Sequence, residues 1–254
     1  MTLFDLTGHV ALVTGGNSGI GLGMAGGLVE HGADVCIWGT NPVRNADAVA
    51  ELARHGTRIH AVTCDVGDEA AVTAAMAETL EHFGRVDSCF ANSGVGGSGT
   101  AFIDTTLADF RRITRVNLDG AFLTLRAAAA HMVERGGGGV LVGTSSVSAI
   151  EGAPHNQAYA ATKAALIAMI RGCAVELARY EITAHSVLPG WVETPLAAPT
   201  LATEGFQKVV KRRVPMRRWG LPAEFGPLAV YLASGAGGYQ TGDSIVVDGG
   251  YSIF

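Results

Sequence analysis

The sequence predicts a doubly wound α/β fold in which helices cover both faces of a parallel seven-stranded sheet. Short β-rich runs alternate with longer Ala-rich stretches along the chain, and this alternation is typical of parallel sheets. The short runs are apolar almost throughout, as expected for strands that are buried on both faces. With 254 residues and 48% hydrophobic content, the chain fits one large domain.

Seven runs have the length and composition of strands: HVALVTG, ADVCIWG, TRIHAVTCDV, VDSCFAN, GGVLVGTSS, ITAHSVLPG and DSIVVDGG. The stretches between them predict five helices, at about 19–32, 43–55, 68–83, 106–134 and 157–180. The four glycines at 136–139 predict the turn that ends the fourth helix, since glycine tolerates a left-handed cap.

The segment at about 191–222 breaks this rhythm because it is long and rich in Pro and charged residues. We expect it to form a substrate lid. Since no linker or repeat divides the chain, the sequence predicts one domain, 1–254, that carries this lid. In doubly wound folds ligands bind beyond the carboxyl ends of the strands, so the residues there are candidates for function.

Composition argues against several kinds of partner. The formal net charge is −5, which gives no positive field for nucleic acid or an anionic membrane. No apolar run reaches membrane-spanning length without a charged or polar break, and the N-terminal stretch lacks a basic region, so we expect a cytoplasmic protein. No CxxC pair is present, and we expect buried thiols without disulfide or metal at Cys36, Cys64, Cys89 and Cys173.

The first strand leads into a glycine-rich loop, TGGNSGIG at 14–21, that opens a helix. Glycine is needed where the backbone turns sharply or approaches a pyrophosphate, and the helix N-terminus favours phosphate charge. A purely structural turn is the alternative, but the strand before and the helix after favour dinucleotide binding. The candidate contacts are Gly15, Asn17, Ser18, Gly19, Ile20 and Gly21.

The second strand ends at Gly39, Thr40 and Asn41, where a site that bonds both ribose hydroxyls of NAD would have a carboxylate. Its absence removes repulsion against a 2′-phosphate, to which Thr40, Asn41 or Arg44 could donate. NADP is therefore favoured over NAD. A solvated turn that accepts either cofactor is the alternative.

Polar residues also follow the third and fourth strands. Asp65, followed by Val66, could cap the next helix or bond the adenine amine, and the two roles do not exclude each other. Asn92, followed two residues later by Gly94, is interpreted as a structural tie between strands more than as a ligand contact. All four residues are candidates for the cofactor site.

Tyr159 and Lys163 are four positions apart in a predicted helix, so they share one face and can touch the same ligand. A tyrosine titrates near about 10, and an adjacent ammonium stabilises the phenolate and lowers that pKa. Ser146 follows the fifth strand, where its hydroxyl could bond a substrate oxygen. Each residue alone has a structural explanation, but their combination with the upstream glycine loop predicts a catalytic site.

Together these motifs resemble the short-chain dehydrogenase/reductase family, in its single-domain YxxxK branch, over essentially the whole chain. The matching parts are Thr14-Gly15-xxx-Gly19-x-Gly21, Asp65, Asn92-Ser93-Gly94 in place of the commoner Asn-Ala-Gly, Asn117, Ser146, Tyr159-xxx-Lys163, Pro189-Gly190 and Thr194. The resemblance implies a Rossmann fold. It also implies an NAD(P)-dependent oxidoreductase that acts on a ketone or secondary alcohol.

The resemblance implies roles for single residues as well. Ser146 would polarise the carbonyl, Tyr159 would exchange the proton, and Lys163 would bind the nicotinamide ribose. Asn117, which residue chemistry alone marks as a buried polar helix residue, would kink its helix and position a water in a proton relay. The loop after the sixth strand would meet the nicotinamide side through Pro189, Gly190, Val192 and Thr194.

The expected substrate contacts are Ser146, Ser148, His155, Tyr159 and Trp191, which suit a neutral or mildly polar carbonyl or alcohol. For His155 a solvated loop histidine is the alternative.

The resemblance also implies a homotetramer packed through the helices at 106–134 and 157–180, with a second contact through the C-terminal strand. The apolar end at 251–254 fits burial at an interface.

Other functions occur on similar scaffolds. A carrier-protein-linked 3-oxoacyl reductase shares the motifs, and a basic run could face its phosphopantetheine thioester; otherwise this run is a solvated helix face or meets an anionic substrate tail. The run comprises Lys208, Lys211, Arg212, Arg213, Arg217 and Arg218. A non-catalytic dinucleotide sensor would need only the glycine loop. Dehalogenase relatives carry Arg in place of Lys163, and enoyl reductases space Tyr and Lys farther apart.

Overall fold

The computed structural model describes residues 3–254 and contains the predicted seven strands. They are β1 (Val10–Thr14), β2 (Asp34–Gly39), β3 (Ile59–Thr63), β4 (Ser88–Ala91), β5 (Gly139–Thr144), β6 (Ile182–Pro189) and β7 (Ser244–Val247). Neighbouring strands are parallel and follow the order β3-β2-β1-β4-β5-β6-β7. The predicted doubly wound sheet is confirmed.

The order of the strands fixes where a ligand can bind. The first three strands proceed from β1 toward one edge, and the chain then returns to place β4 on the other side of β1. This change of direction opens a crevice beyond the carboxyl ends of β1 and β4. The glycine-rich loop and the loop after β4 lie at these two ends.

The helices are α1 (Gly19–Glu30), α2 (Pro42–Leu52), α3 (Glu69–Phe83), α4 (Leu107–Thr114), α5 (Gly120–Arg135), α6 (Gln157–Leu177), α7 (Ala198–Leu201), α8 (Glu204–Arg213) and α9 (Gly226–Ala233). The predicted helix at 106–134 is interrupted, because a π-helical turn, Arg115–Asp119, joins α4 to α5. Positive φ angles at Gly136, Gly137 and Gly138 confirm the predicted turn before β5.

Side-chain caps explain where three of the helices begin. Asn41 caps α2 and Asp68 caps α3, each by accepting two backbone N–H groups of the first turn, and Thr106 caps α4 by accepting one. These groups have no partner inside the helix, and a polar side chain just before the helix satisfies them.

The apolar core lies on both faces of the sheet. Helices α3, α5 and α6 pack on the face that contains Trp38, and α1, α2 and α9 pack on the face that contains Phe90. Cys36, Cys64 and Cys89 are buried as expected, whereas Cys173 is only partly buried. Burial raises the pKa of Cys36 and of Cys89 to about 12, so these thiols stay protonated at neutral pH.

The 191–222 segment contains α7 and α8 and has a small apolar cluster of its own. Its buried members are Leu201, Val214 and Trp219, with Trp191 and Phe206 packed against them. A bridge between Val192 and Gly220 joins the two ends of the segment. The segment therefore folds as a compact unit, and its role as a lid stays a prediction.

One helical stretch, Gln157–Tyr180, has the length and mean hydropathy (1.3) of a membrane-spanning segment. Core helices of globular domains also reach this composition, and 39% of its most apolar window is buried inside the protein. The stretch contains α6, which packs on β5 and β6 and carries the buried Lys163.

Candidate active site

The glycine loop between β1 and α1 adopts a conformation that needs glycine. Gly15 and Gly19 have φ angles of 64° and 54°, which other residues rarely adopt. A Cβ atom added at Gly21 would lie 2.3 Å from the Gly15 carbonyl oxygen. Within residues 3–254, the side chain of Ser18 does not cap α1, so the first N–H groups of this helix can donate to an anion.

Thr14 ties the loop after β4 to the end of β1. Its Oγ1 accepts the backbone N–H groups of Asn92 and Ser93 at 3.0 Å each. The Asn92 side-chain amide donates to the Thr14 carbonyl oxygen at 3.0 Å. Asn92 is therefore a tie between the ends of β1 and β4, as expected, and a cofactor contact from it stays a prediction.

Two amides join the glycine loop to the end of β2. Asn17 Nδ2 donates to Asn45 Oδ1 at 2.7 Å, and Asn45 Nδ2 donates to the Gly39 carbonyl oxygen at 3.0 Å. A Cβ atom added at Gly39 would lie 2.2 Å from Asn17 Nδ2 and 2.5 Å from Asn45 Oδ1. The amide pair thus fills the space that an acidic side chain at position 39 would need.

Thr40, Asn41 and Arg44 are exposed at the same corner. The Asn41 side-chain oxygen accepts the backbone N–H groups of Val43 and Arg44 at 3.0 Å each. That oxygen already serves α2 as a cap, so the Asn41 amide nitrogen is the part that can donate to a phosphate.

Asp65 does not cap α3, so the first of its two expected roles is wrong, while a bond to the adenine amine stays a prediction. Asp65 lies a full turn too early, and Asp68 occupies the cap position. The Asp65 carboxylate instead accepts the Gly67 N–H at 2.9 Å and pairs with Arg115 at 2.9 Å. Burial raises the pKa of Asp65, but these two partners together outweigh it and hold the pKa below its usual value. Next to it, Val66 is buried.

Helix α6 presents Tyr159 and Lys163 together, as predicted. The Lys163 ammonium donates to the Thr144 carbonyl oxygen at 2.7 Å and lies 5.5 Å from the centre of the Tyr159 ring. Ser146 follows β5, and its Oγ accepts the Ser148 N–H at 3.1 Å. The Ser146 hydroxyl lies near enough to Tyr159 to lower the pKa of its phenol. The structure therefore brings Ser146, Tyr159 and Lys163 together.

Burial dominates the protonation of this group. Burial raises the pKa of Tyr159, and the nearby Ser146 side chain lowers it by less. The expected fall in the pKa of Tyr159 is wrong for this structure, because burial is the largest effect and it raises the pKa; the Lys163 ammonium is hydrogen-bonded to the Thr144 carbonyl oxygen and not to the phenol. Burial lowers the pKa of Lys163 to about 8. At neutral pH Tyr159 therefore keeps its proton, as a general acid must.

Asn117 lies in the π-helical turn between α4 and α5 and is buried. Its Oδ1 accepts the Val95 N–H at 2.8 Å, and its Nδ2 donates to the Val95 carbonyl oxygen at 3.0 Å. A Cβ atom added at Gly94 would lie 3.4 Å from Asn117 Oδ1 and 3.6 Å from the Lys163 ammonium. The loop after β4 therefore runs beside both residues, and a proton relay through Asn117 stays a prediction.

The loop after β6 faces the glycine loop. A Cβ atom added at Gly19 would lie 3.2 Å from Thr194 Cβ. Pro189 is the last residue of β6, and Val192 is buried. The Gly190 N–H donates to the carbonyl oxygen of Val247, the last residue of β7, at 3.0 Å. The two loops thus form opposite walls of the crevice that the sequence assigns to the cofactor.

The predicted substrate contacts are less tightly grouped. His155 is exposed with a φ of 61°, which fits the solvated alternative. Trp191 packs edge-on against Phe206 with ring centres 4.7 Å apart, so its ring belongs to the 191–222 segment. A cavity of about 470 Å³ opens beside Thr194 and Trp219.

Sequence reasoning missed several contacts in this region. Asn45 had a signal, because it stands with Ala48 and Leu52 on the buried stripe of α2 at positions i, i+3 and i+7. Arg115 reaches Asp65 across 50 positions, and the bond from Lys163 to Thr144 uses a main-chain oxygen. Neither contact leaves a local pattern in the sequence.

The comparisons with known proteins agree with this geometry. A family model described as "Enoyl-(Acyl carrier protein) reductase" matches residues 15–252. An "L-rhamnose 1-dehydrogenase (NAD(P)(+))" from Sphingomonas sp. is 36% identical over 98% of each chain. An "NADP-dependent (R)-specific alcohol dehydrogenase" from Lentilactobacillus kefiri is 37% identical over 97% of this chain and 98% of its own. The crystal structure of a short-chain type dehydrogenase/reductase from Mycobacterium marinum has a TM-score of 0.95 at 35% identity, covering 99% and 98% of the two chains.

The fold and the comparisons define the protein as an NAD(P)-dependent oxidoreductase that transfers a hydride to or from an alcohol or ketone. The chain belongs to the short-chain dehydrogenase/reductase family, which confirms the resemblance of its motifs. The family model's description refers to enoyl reduction. Tyr159 and Lys163 are only four positions apart, whereas enoyl reductases space these two residues farther apart, so the sequence disfavours that reaction.

Proposed function

We propose that Tyr159 is the general acid and base for hydride transfer between a nicotinamide cofactor and a ketone or secondary alcohol. The observation that carries the proposal is the arrangement of Ser146, Tyr159 and Lys163 beside Gly94, at the carboxyl end of the central strands. Two hydroxyl groups and a buried ammonium at this position match the needs of a carbonyl oxygen that gains a proton.

The crevice suits a dinucleotide. The backbone of Gly21 lies so close to that of Gly15 that a Cβ added at Gly21 would be 2.3 Å from the Gly15 carbonyl oxygen. A glycine loop of this kind lets the backbone approach a pyrophosphate. The N–H groups at the start of α1 would hold the phosphates, Lys163 the nicotinamide ribose, and Val192 and Thr194 the carboxamide. The cofactor, when bound, supplies or accepts the hydride.

The protein's own groups handle the proton. Ser146 orients the substrate oxygen. Tyr159, which keeps its proton at neutral pH, donates it to that oxygen during reduction and becomes a phenolate; in the oxidation direction the phenolate accepts the proton of the alcohol. Lys163 adds positive charge near the phenol. Asn117 fixes the loop after β4 and would position a water in a proton relay. General acid catalysis of this kind contributes about 10² to 10⁴ in rate.

NADP(H) is the proposed cofactor in preference to NAD(H). The corner at Gly39, Thr40 and Asn41 has no carboxylate to repel a 2′-phosphate, and the Asn17–Asn45 pair leaves no room for one at position 39. The alcohol dehydrogenase from Lentilactobacillus kefiri is named as NADP-dependent, which supports the same choice.

The proposed substrate is a neutral or mildly polar carbonyl compound. The basic run does not favour the alternative, a carrier-protein thioester, because two of its arginines are paired within the chain: Arg213 with Glu151 and Arg218 with Glu224. The substrate contacts Ser148, His155 and Trp191 stay predictions.

A homotetramer is proposed for the assembly, and the cytoplasm for its location. Large apolar side chains are exposed on α4 and α5, at Leu107, Phe110 and Phe122, and at the C-terminal end, at Ile253 and Phe254. Such surfaces are typical of interfaces. Sedimentation at four times the chain mass of 26.1 kDa is expected, and sedimentation as a monomer would contradict the assembly.

Fluorescence titration with NADPH and NADH, followed by turnover on a panel of ketones and 3-oxoacyl thioesters, tests the proposed function. We expect tighter binding of NADPH and faster reduction of simple ketones than of thioesters. Failure to bind either nucleotide would contradict the proposal. Selective reduction of the thioesters would establish the alternative.

A further inference from the structure

Arg213, the last residue of α8, lies where three separate parts of the chain meet. Its guanidinium carbon is 4.3 Å from the centre of the Tyr251 ring. Its Nη2 lies 3.4 Å from Glu151 Oε1, and its Nε donates to the Phe254 carbonyl oxygen at 3.4 Å. One side chain therefore joins the 191–222 segment to the C-terminal stretch and to the loop between β5 and α6.

Glu151 places this junction on the substrate side of the site. It lies in the loop that begins with Ser146 and leads into the first turns of α6, where Tyr159 is located. Only 18% of the Glu151 side chain is exposed. A partly buried carboxylate needs a charged partner, and Arg213 is the cation that supplies it.

Tyr251 is a firm support for the arginine because its own stretch is fixed. The Asp248 carboxylate accepts the N–H groups of Gly250 and Ser252 at 2.8 and 2.7 Å. A Cβ atom added at Gly250 would lie 2.9 Å from Pro215 Cγ. The end of the 191–222 segment and the C-terminal stretch are thus closely packed beside Arg213.

We propose that Arg213 is a positioning residue that holds the 191–222 segment against the substrate side by joining Glu151 to Tyr251. The proposal rests on the proposed function, since it assumes that substrate enters between this segment and Tyr159. A single exposed ion pair stabilises little, but here the same guanidinium also stacks on an aromatic ring. The segment exchanges between a state packed against the substrate side and a detached state. We expect loss of both contacts to raise the population of the detached state about tenfold relative to the packed one.

Arg212 provides a matched control. It precedes Arg213 on α8 and is exposed. Its side chain forms no ion pair with any residue between 3 and 254. Arg212→Gln therefore removes the same charge from the same helix without removing the junction.

The test compares chymotrypsin cleavage of Arg213→Gln and Arg212→Gln at Phe206, a site inside α8. We expect cleavage of Arg213→Gln to be about tenfold faster than that of the parent protein, with no change for Arg212→Gln. The KM for a ketone should rise by a similar factor in Arg213→Gln, while its NADPH affinity stays within about twofold. Arg213→Lys should recover part of the loss, because it keeps the charge but loses the planar stacking.

The variant Glu151→Gln completes a double-mutant cycle with Arg213→Gln. If the two residues act through one junction, the double variant should cleave no faster than Arg213→Gln alone. Equal cleavage rates for Arg213→Gln and Arg212→Gln, or purely additive effects in the double variant, would overturn the proposal. Cleavage needs no turnover, so these results stay distinct from a failure of Tyr159 as the catalytic acid.

Discussion

The Lys163 ammonium is bound by the carbonyl oxygen of Thr144 at 2.7 Å, and only 4% of the lysine is exposed. A buried cation is costly unless it is hydrogen-bonded, and here a main-chain oxygen of β5 supplies the bond. Strand β5 therefore fixes the position of the ammonium before any ligand binds. Since Ser146 follows the same strand, one strand end positions two members of the proposed catalytic group.

The burial of Lys163 predicts a pH-dependent cost in stability. Its pKa is lowered to about 8 from the ordinary 10.5, so its charged form is disfavoured in the folded state. The cost is fully present below pH 8 and disappears as the pH rises toward 10.5. Lys163→Met removes this cost, so at pH 7 its unfolding free energy should exceed that of the parent protein. We expect this difference between the two proteins to shrink by roughly 2–3 kcal/mol between pH 7 and 10.

Urea unfolding of both proteins at the two pH values measures this difference. The exposed Lys208 supplies the control, because Lys208→Met should show no such pH dependence. An advantage of Lys163→Met that does not change with pH would contradict the burial of a charged lysine.

Asn41 allows the cofactor preference to be tested without loss of the helix cap. Asn41→Asp keeps an oxygen for the N–H groups of Val43 and Arg44 but adds a negative charge near the proposed 2′-phosphate site. We expect NADPH to bind at least about tenfold more weakly and NADH to be little affected. Asn41→Ser, a neutral cap, is the control in the same fluorescence titration. Equal losses for the two cofactors would argue against a phosphate at this corner.

The bridge between Asn17 and Asn45 should support both stability and cofactor binding. Asn45→Ala removes the buried amide that donates to the Gly39 carbonyl oxygen and accepts from Asn17 Nδ2, which costs about 1–3 kcal/mol in unfolding free energy. It also releases Asn17 in the glycine loop, so NADPH should bind more weakly. The exposed Asp47→Ala on the same helix is the control for urea unfolding and for NADPH titration. Unchanged NADPH affinity in Asn45→Ala would show that the bridge is only structural.

Two glycines of α1 are expected to respond in opposite ways to alanine. At Gly21 the added Cβ would lie 2.3 Å from the Gly15 oxygen, whereas at Gly26 no atom of the described residues beyond its chain neighbours and the adjacent backbone of its own helix would lie within 4 Å. Gly21→Ala should therefore lose NADPH binding. Gly26→Ala should gain about 0.5–1 kcal/mol in unfolding free energy, because alanine favours helix. Normal NADPH affinity in Gly21→Ala would contradict the close approach in the loop.

The fold could be predicted almost completely from sequence because its signals are local. Each strand is a short apolar run, and the Tyr159–Lys163 pair depends only on helix periodicity. The π-helical turn at Arg115–Asp119 could not be derived in this way, since tertiary bonds from Asn117 to Val95 accompany it.

The site was predicted less completely wherever partners are distant in sequence. Asp65 looked like a cap, but capping depends on the residue at which α3 begins, and Asp68 is adjacent to that start. The Tyr159 pKa was expected to fall because Lys163 is near. Burial decides the direction, and burial depends on packing that a motif does not contain.

The most direct test of the central claim is the turnover of Tyr159→Phe, with NADPH and the best ketone of the panel, beside NADPH titration of the same variant. We expect kcat to fall by at least about 10²-fold while NADPH affinity stays within about twofold, because only the proton donor is lost. Turnover within about tenfold of the parent protein, in a variant that binds NADPH normally, would contradict Tyr159 as the general acid.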